Sequence, residues 1–245
     1  MESTPSITPN RLRLHLGSGE KYLPGYWNID YPQSEHSVVT VRADQYADIR
    51  TLDYPQNSIE EVRNHHMFEH FPRAKALKLL AAWRKWLKPD GVLTIETPDF
   101  GHCAAAYSRA LSRKRRFELG RHMMGSQEAH WAIHYDFWDK SKFKYVLKKF
   151  GFKNIKVLRY ENALSQKYAI VPGSRIILNL LGNLLPNSIY KKYGGHKLPN
   201  IVVTAKKDGK RLINDSAVAR EILSEYLVGR EGEEMLAVWM NDFES

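Results

Sequence analysis

The sequence predicts an α/β fold built on a mostly parallel sheet, and three observations carry the prediction. An alternating apolar run, Leu12 to Leu16, ends on Gly17-Ser18-Gly19. A second short apolar run starts at Tyr26 and stops on a carboxylate, Asp30. Further along, strand, helix and turn signals alternate in α/β order, and 245 residues suit one domain with additions.

Glycines at the carboxyl end of a first strand let backbone N–H groups approach a polar ligand without interference from Cβ. An acid that closes the next strand can accept hydrogen bonds from both hydroxyls of a ribose. Gly17, Gly19 and Asp30 therefore read as halves of one nucleoside site. Only about nine residues separate the two strands, too few for a helical crossover, so residues 17 to 25 should return as loop, turning at Pro24-Gly25. Tyr22 stands where a dinucleotide fingerprint has its third glycine, which argues against a nicotinamide or flavin enzyme.

After Asp30 the chain reads as loop, with Val38 to Arg42 either a short strand or the edge of a helix. Strand four, Glu61 to His65, leads into Asn64-His65-His66-Met67-Phe68-Glu69-His70, which should border a ligand because open α/β sheets bind beyond their strand carboxyl ends. His66 and His70 have helical i, i+4 spacing, but the His-Glu-x-x-His order of zinc proteases is absent and no metal is expected. His70 is read either as catalytic or as a buried histidine bonded to a loop carbonyl. Pro72 opens a helix to Leu87 with Ala76, Leu79, Leu80 and Trp83 on one face. Lys88-Pro89-Asp90-Gly91 turns the chain into strand five, Val92 to Thr97.

From Gly101 to Trp138 no period is visible, and the stretch is rich in titratable and aromatic residues. His134 suits a general base near neutral pH, and Asp136 or a tyrosine could orient it or the acceptor. Asp139 or Ser141 caps a helix carrying Phe143, Val146, Leu147 and Phe150, which Gly151 ends. Strand six is Phe152 to Arg159 and strand seven Pro199 to Ala205, with an insertion of roughly 40 residues between them. Two amphipathic helices broken near Gly229 fill 215–243.

Leu-His-Leu-Gly-Ser-Gly, Leu-Pro-Gly-Tyr-Trp-Asn-Ile-Asp, His-Met-Phe-Glu-His-Phe and Leu-Lys-Pro-Asp-Gly-Val-Leu resemble the class I S-adenosylmethionine-dependent methyltransferases. The likeness is greatest to small ones that modify sugars and other small acceptors, and it covers Arg11 to Phe100 well and Asp139 to Lys206 loosely. It implies a Rossmann-like seven-stranded sheet, mostly parallel with an antiparallel last strand and helices on both faces. It also implies S-adenosyl-L-methionine as cofactor, held by Gly17, Ser18, Gly19 and Asp30, with Asp48 facing the adenine amino group, Ile49 the ring, and His65 beside it. The matching His-x-x-Glu-His stretch helps shape the pocket, so His66 joins His134 and Asp136 as a catalytic candidate.

The expected organisation is a tail at 1–10, a methyltransferase domain at 11–209 with an acceptor-side loop at 101–138 and an insertion at 168–198, and a helical extension at 210–245 that packs on the domain or in a homodimer. The expected activity is O-methylation of a sugar, glycan or other small acceptor. A non-catalytic or RNA-directed protein on the same scaffold and a nucleotide-dependent oxidoreductase or epimerase are the alternatives. A net charge of +10 favours acidic partners, and no RNA-binding motif accompanies it. No export signal is visible and Cys103 is the sole cysteine, so a cytoplasmic protein is expected. The apolar run at 172–186 is too short to span a bilayer; flanking basic residues suit a peripheral contact at the inner membrane face, a cover over the acceptor site or a dimer contact.

Overall fold

The computed structural model describes residues 12–36, 38–163, 184 and 197–245. Strands β1 (Leu12–Leu16), β2 (Trp27–Asp30), β3 (Gln45–Tyr46), β4 (Ile59–His65), β5 (Leu87–Pro98), β6 (Phe152–Ala163) and β7 (Lys197–Lys207) form one seven-stranded sheet in the order 3-2-1-4-5-7-6. The first five strands are parallel, and β7 runs antiparallel to both β5 and β6. The β1–β2 pair is parallel despite its short link, as expected, with Leu14 opposite Trp27. Residues 38 to 42 are neither strand nor helix.

Leu14, Leu16, Val62, Leu93, Ile95 and Val203 are buried on one face of the sheet, as the two-residue period of a strand places them. Helix α1 (Arg73–Trp86) covers that face with Ala76, Leu79, Leu80 and Trp83, which recur at helical spacing and are all buried. Each large apolar side chain so buried contributes about 1.5–3 kcal/mol. Phe68 stands between α1 and α4 (Lys140–Lys149), its ring 5.5 Å from Trp83 and 4.7 Å from Trp138. Asp139 caps α4, accepting from Lys142 N at 2.9 Å.

One expectation needs correction. The stretch 101–138 is largely helical: α2 (Phe100–Arg109), capped by Asp99, and α3 (Arg113–Met124). These helices bury only Cys103 and Leu119, so neither has the series of buried apolar positions that marks α1. The segment 210–245 packs on the domain itself. Helices α5 (Asp215–Ser224) and α6 (Glu233–Glu244) place Ile222, Leu223, Leu236 and Phe243 in the main core and pack on α1. The insertion 168–198 lies outside the described residues, apart from Leu184 and the start of β7, as does 172–186 apart from Leu184. Among the described residues no helix is long and apolar enough to cross a membrane.

Candidate active site

The carboxyl ends of β1, β2 and β4 open onto a cavity of about 500 Å³ lined by Gly17, Ser18, Gly19, Asp30, Ile49, His65 and His66, among others. Gly17 has φ +67, and a Cβ there would come within 2.5 Å of Met67 Cγ, so the end of β1 has room only for glycine. Gly19, at φ +50, donates its N–H to Asp30 Oδ2 at 2.6 Å, with open space where its Cβ would be. The other oxygen of Asp30 accepts from Tyr31 N at 2.7 Å and lies 3.3 Å from His36 Nε2. Ser18 is buried and donates its hydroxyl to Arg42 O at 3.1 Å. The tips of β1 and β2 are thus tied together around one crevice.

Asp48 is not on the cavity wall. It caps the short turn Ile49–Thr51 and accepts from Arg50 N at 2.9 Å and from the guanidinium at 2.6 Å, while Ile49, Arg50 and Ala47 line the cavity. The carboxylate expected to face an adenine is thus spent on Arg50, and this turn presents Ala47, Ile49 and Arg50 to the cavity. Lys21, which the sequence did not single out, reaches the wall with Nζ 2.5 Å from His65 Nε2. The same ring nitrogen lies 2.5 Å from Glu96 Oε1. With the carboxylate accepting, Nε2 carries the proton.

Beyond β4 the chain turns sharply at His66, whose φ is +49. This aims its ring into the cavity. Its Nδ1 donates to Glu69 Oε1 at 3.2 Å, and its Nε2 lies 3.8 Å from Glu96 Oε1, an oxygen that also accepts from Tyr160 OH. Glu69 is buried at the centre of the cluster. Burial alone lifts a carboxyl, but the His66 hydrogen bond and the neighbouring His66, His70 and His134 outweigh it and hold Glu69 at about 2. His70 also lines the cavity, half-buried, and donates Nδ1–H to Ile133 O at 3.1 Å, the carbonyl bond of one of its two readings.

The other two catalytic candidates are displaced. His134 is not on the cavity wall; its Nδ1–H donates to Met123 O at 3.1 Å and its Nε2 points to Glu69, 3.9 Å from Oε1. Asp136 accepts from Lys142 Nζ at 2.6 Å and Tyr226 OH at 3.2 Å, with only 2% of its side chain exposed, so it can orient neither His134 nor an acceptor. What the stretch 127–138 does supply is a wall. Trp131 packs on His36 and donates Nε1–H to Glu35 O at 2.8 Å, and Glu128, His130 and Tyr135 join it on the cavity side.

Behind this wall, His122 Nε2–H donates to Pro199 O and Asn200 Oδ1, each at 3.1 Å. Burial and the adjacent His66 push its pKa down to about 4, against those two hydrogen bonds. Between about pH 6.5 and 4 the unfolded chain then binds more protons there than the folded one, so stability falls as pH drops through that window. The loss should be on the order of 1–3 kcal/mol. Urea midpoints at pH 7.5 and 5 measure it; an equal pH slope in His122→Gln would assign the acid sensitivity to other groups.

Residues 15–157, more than half of the chain, match the model of a family described as a methyltransferase domain. Among solved structures, an S-adenosylmethionine-dependent methyltransferase from Archaeoglobus fulgidus is similar at 15% identity, over 82% of this chain and 87% of that one, with a TM-score of 0.47. A methyltransferase of the same description from Methanosarcina mazei is similar at 11% identity, over 84% and 99%, with a TM-score of 0.44. The phosphoethanolamine N-methyltransferase 2 of Haemonchus contortus, solved with phosphomonomethylethanolamine and S-adenosylhomocysteine, is similar at 15% identity, over 83% and 50%, with a TM-score of 0.43. No curated protein matches the sequence.

Proposed function

Because the chain belongs to the class I S-adenosylmethionine-dependent methyltransferases, we propose that it transfers the methyl group to a hydroxyl of a small acceptor, a sugar or glycan, with His66 as the base. The observation that carries this reading is the placement of His66: its ring faces the cavity, Nδ1 is spent on the buried Glu69, and Nε2 is left as a proton acceptor. A sugar hydroxyl is far from acidic at neutral pH, so its oxygen needs such a base, whereas an amine only has to be held neutral.

The residues present fit the cofactor. Gly17 leaves no room for a Cβ, Gly19 faces open space, and Asp30 stands on the cavity wall to accept from a ribose. Ala47 and Ile49 offer an apolar surface for the purine, and Lys21 a cation for the amino-acid carboxylate. When bound, S-adenosylmethionine supplies an electrophilic methyl, already activated on a sulfonium. His66 Nε2 takes the hydroxyl proton, and the carboxylates of Glu69 and Glu96 hold the imidazolium that results. Trp131 and Tyr135 cover the cavity and exclude water from the acceptor. Arg50 on the wall, with a net charge of +10, supports an acidic acceptor, met in the cytosol at an anionic membrane face.

Calorimetric titration with S-adenosylhomocysteine, NAD and RNA separates this reading from its alternatives: only the first should bind at the β1–β2 crevice. Asp30→Ala should weaken it by about 1.5–3 kcal/mol for each charge-assisted hydrogen bond lost. Asp30→Asn, which keeps an acceptor for Gly19 N, separates ribose binding from the local fold. Equal affinity in wild type and both variants would remove Asp30 from the site. Labelled methyl transfer to uronates, sugar phosphates and neutral sugars then ranks the acceptors.

A further inference from the structure

We propose that Glu69, His70 and His134 form a binding site for a divalent transition-metal ion, zinc above all, just behind the cavity wall at His70. Their ligand atoms, one from each side chain, lie within 4.8 Å of one another. Donors about 2.0–2.2 Å from a tetrahedral zinc ion stand roughly 3.3 Å apart, so the group closes on an ion with small side-chain movements.

Three further observations point to a ligand. His70 and His134 each donate Nδ1–H to a backbone carbonyl, Ile133 O and Met123 O, both at 3.1 Å. That bond fixes the tautomer and leaves each Nε2 as a lone pair, the way metal-ligating imidazoles are held. Met123 lies on α3 and Ile133 in the segment after it, which is tied to the turn beyond β4 by Tyr135 N donating to Glu69 O, so the two rings are oriented before any ion arrives, their centroids 4.7 Å apart. Secondly, Glu69 Oε2 is buried without a hydrogen-bond partner, although Oε1 is engaged by His66. A buried carboxylate oxygen left unsatisfied costs several kcal/mol unless a cation meets it. Thirdly, His70 is on the cavity wall, which gives an ion both an entry path and an open coordination position.

The donor set names the class of ion. Two imidazoles and one carboxylate with an open position suit zinc and its first-row neighbours, whereas calcium and magnesium demand oxygen ligands. The sequence spacing of His66 and His70 suggested another pair. In the fold His66 Nδ1 is taken by Glu69, and His134, remote in sequence, supplies the second nitrogen.

The test uses the full chain without a histidine tag, stripped with a chelator and titrated with zinc, cobalt and magnesium. Zinc should bind with one-to-one stoichiometry and raise the melting temperature, and cobalt should give the absorption of a low-symmetry site, while magnesium gives neither. His134→Ala and Glu69→Gln should each weaken zinc binding by at least tenfold, with His122→Ala as the neighbouring control at wild-type affinity. Circular dichroism confirms that each variant is folded, and the wild-type cobalt spectrum stands independently of all of them. Failure of the wild type to bind zinc or cobalt would overturn the site. Binding that survives His134→Ala but is lost in His65→Ala would do so too, by moving the ion to the other nearby group, His65, His66 and Glu96. None of these readouts depends on methyl transfer, so the site and the O-methylation reading fail separately.

Discussion

His66→Asn should lower turnover by about 10²- to 10⁴-fold while S-adenosylhomocysteine binds nearly as in wild type. Asparagine is the informative replacement because residue 66 sits at φ +49, a conformation that asparagine tolerates and alanine does not. It also has no basic nitrogen. The bond from His66 N to Glu96 O at 2.8 Å is a backbone bond that the substitution keeps, so the turn after β4 survives. Glu69→Gln should cost less than loss of the imidazole, since Glu69 orients the ring and balances its charge without touching the acceptor. Steady-state rates of labelled methyl transfer, with cofactor affinity measured separately, check the pair. Full turnover by His66→Asn would remove the base from this position.

How much of this site was legible in the sequence depends on what fixed each residue. Gly17, Gly19 and Asp30 were readable because a backbone requirement, positive φ at the end of a strand, permits few residue types, and the acid follows at strand spacing. His66 was readable for the related reason that it directly follows the carboxyl end of β4, where parallel sheets bind ligands. His134 and Asp136 were visible as titratable residues, but nothing local says which way they point. Asp136 turns to Lys142 on α4 and Tyr226 beyond α5, and His134 turns to Glu69 beyond β4; both directions are set by tertiary packing. Glu96 and Tyr160 were missed altogether. They reach the site from near the carboxyl end of β5 and from the far edge strand β6, and each looks in the sequence like an ordinary polar strand position. Lys21 lay in a loop whose path only the short crossover decides.

The second large effect concerns the residue that moved furthest from its expected role. Asp136→Ala should destabilise the fold by roughly 3–5 kcal/mol, the range for stripping one partner from a buried ion pair. Out of a typical 5–15 kcal/mol, that is enough to threaten folding at 37 °C. The ammonium of Lys142 is 9% exposed as a side chain, donates to Asp136 Oδ2 at 2.6 Å and to Phe137 O at 2.7 Å, and lies 4.0 Å from the centroid of the Trp138 ring. Burial pulls its pKa down to about 8 even with Asp136 holding it up. Without that carboxylate the folded pKa falls further, while the unfolded value stays near 10.5. The unfolded chain then binds more protons over the interval between them, so the stability of Asp136→Ala should rise with pH from 7 toward 10, and more steeply than that of wild type. Lys142→Met in the same chain should recover part of the loss, because it removes the stranded charge and keeps the volume. Urea unfolding of the two single variants and the double variant closes the cycle. A deficit under 1 kcal/mol with no pH slope would mean that the pair is solvated, and it would return Asp136 to the list of groups free to act on an acceptor.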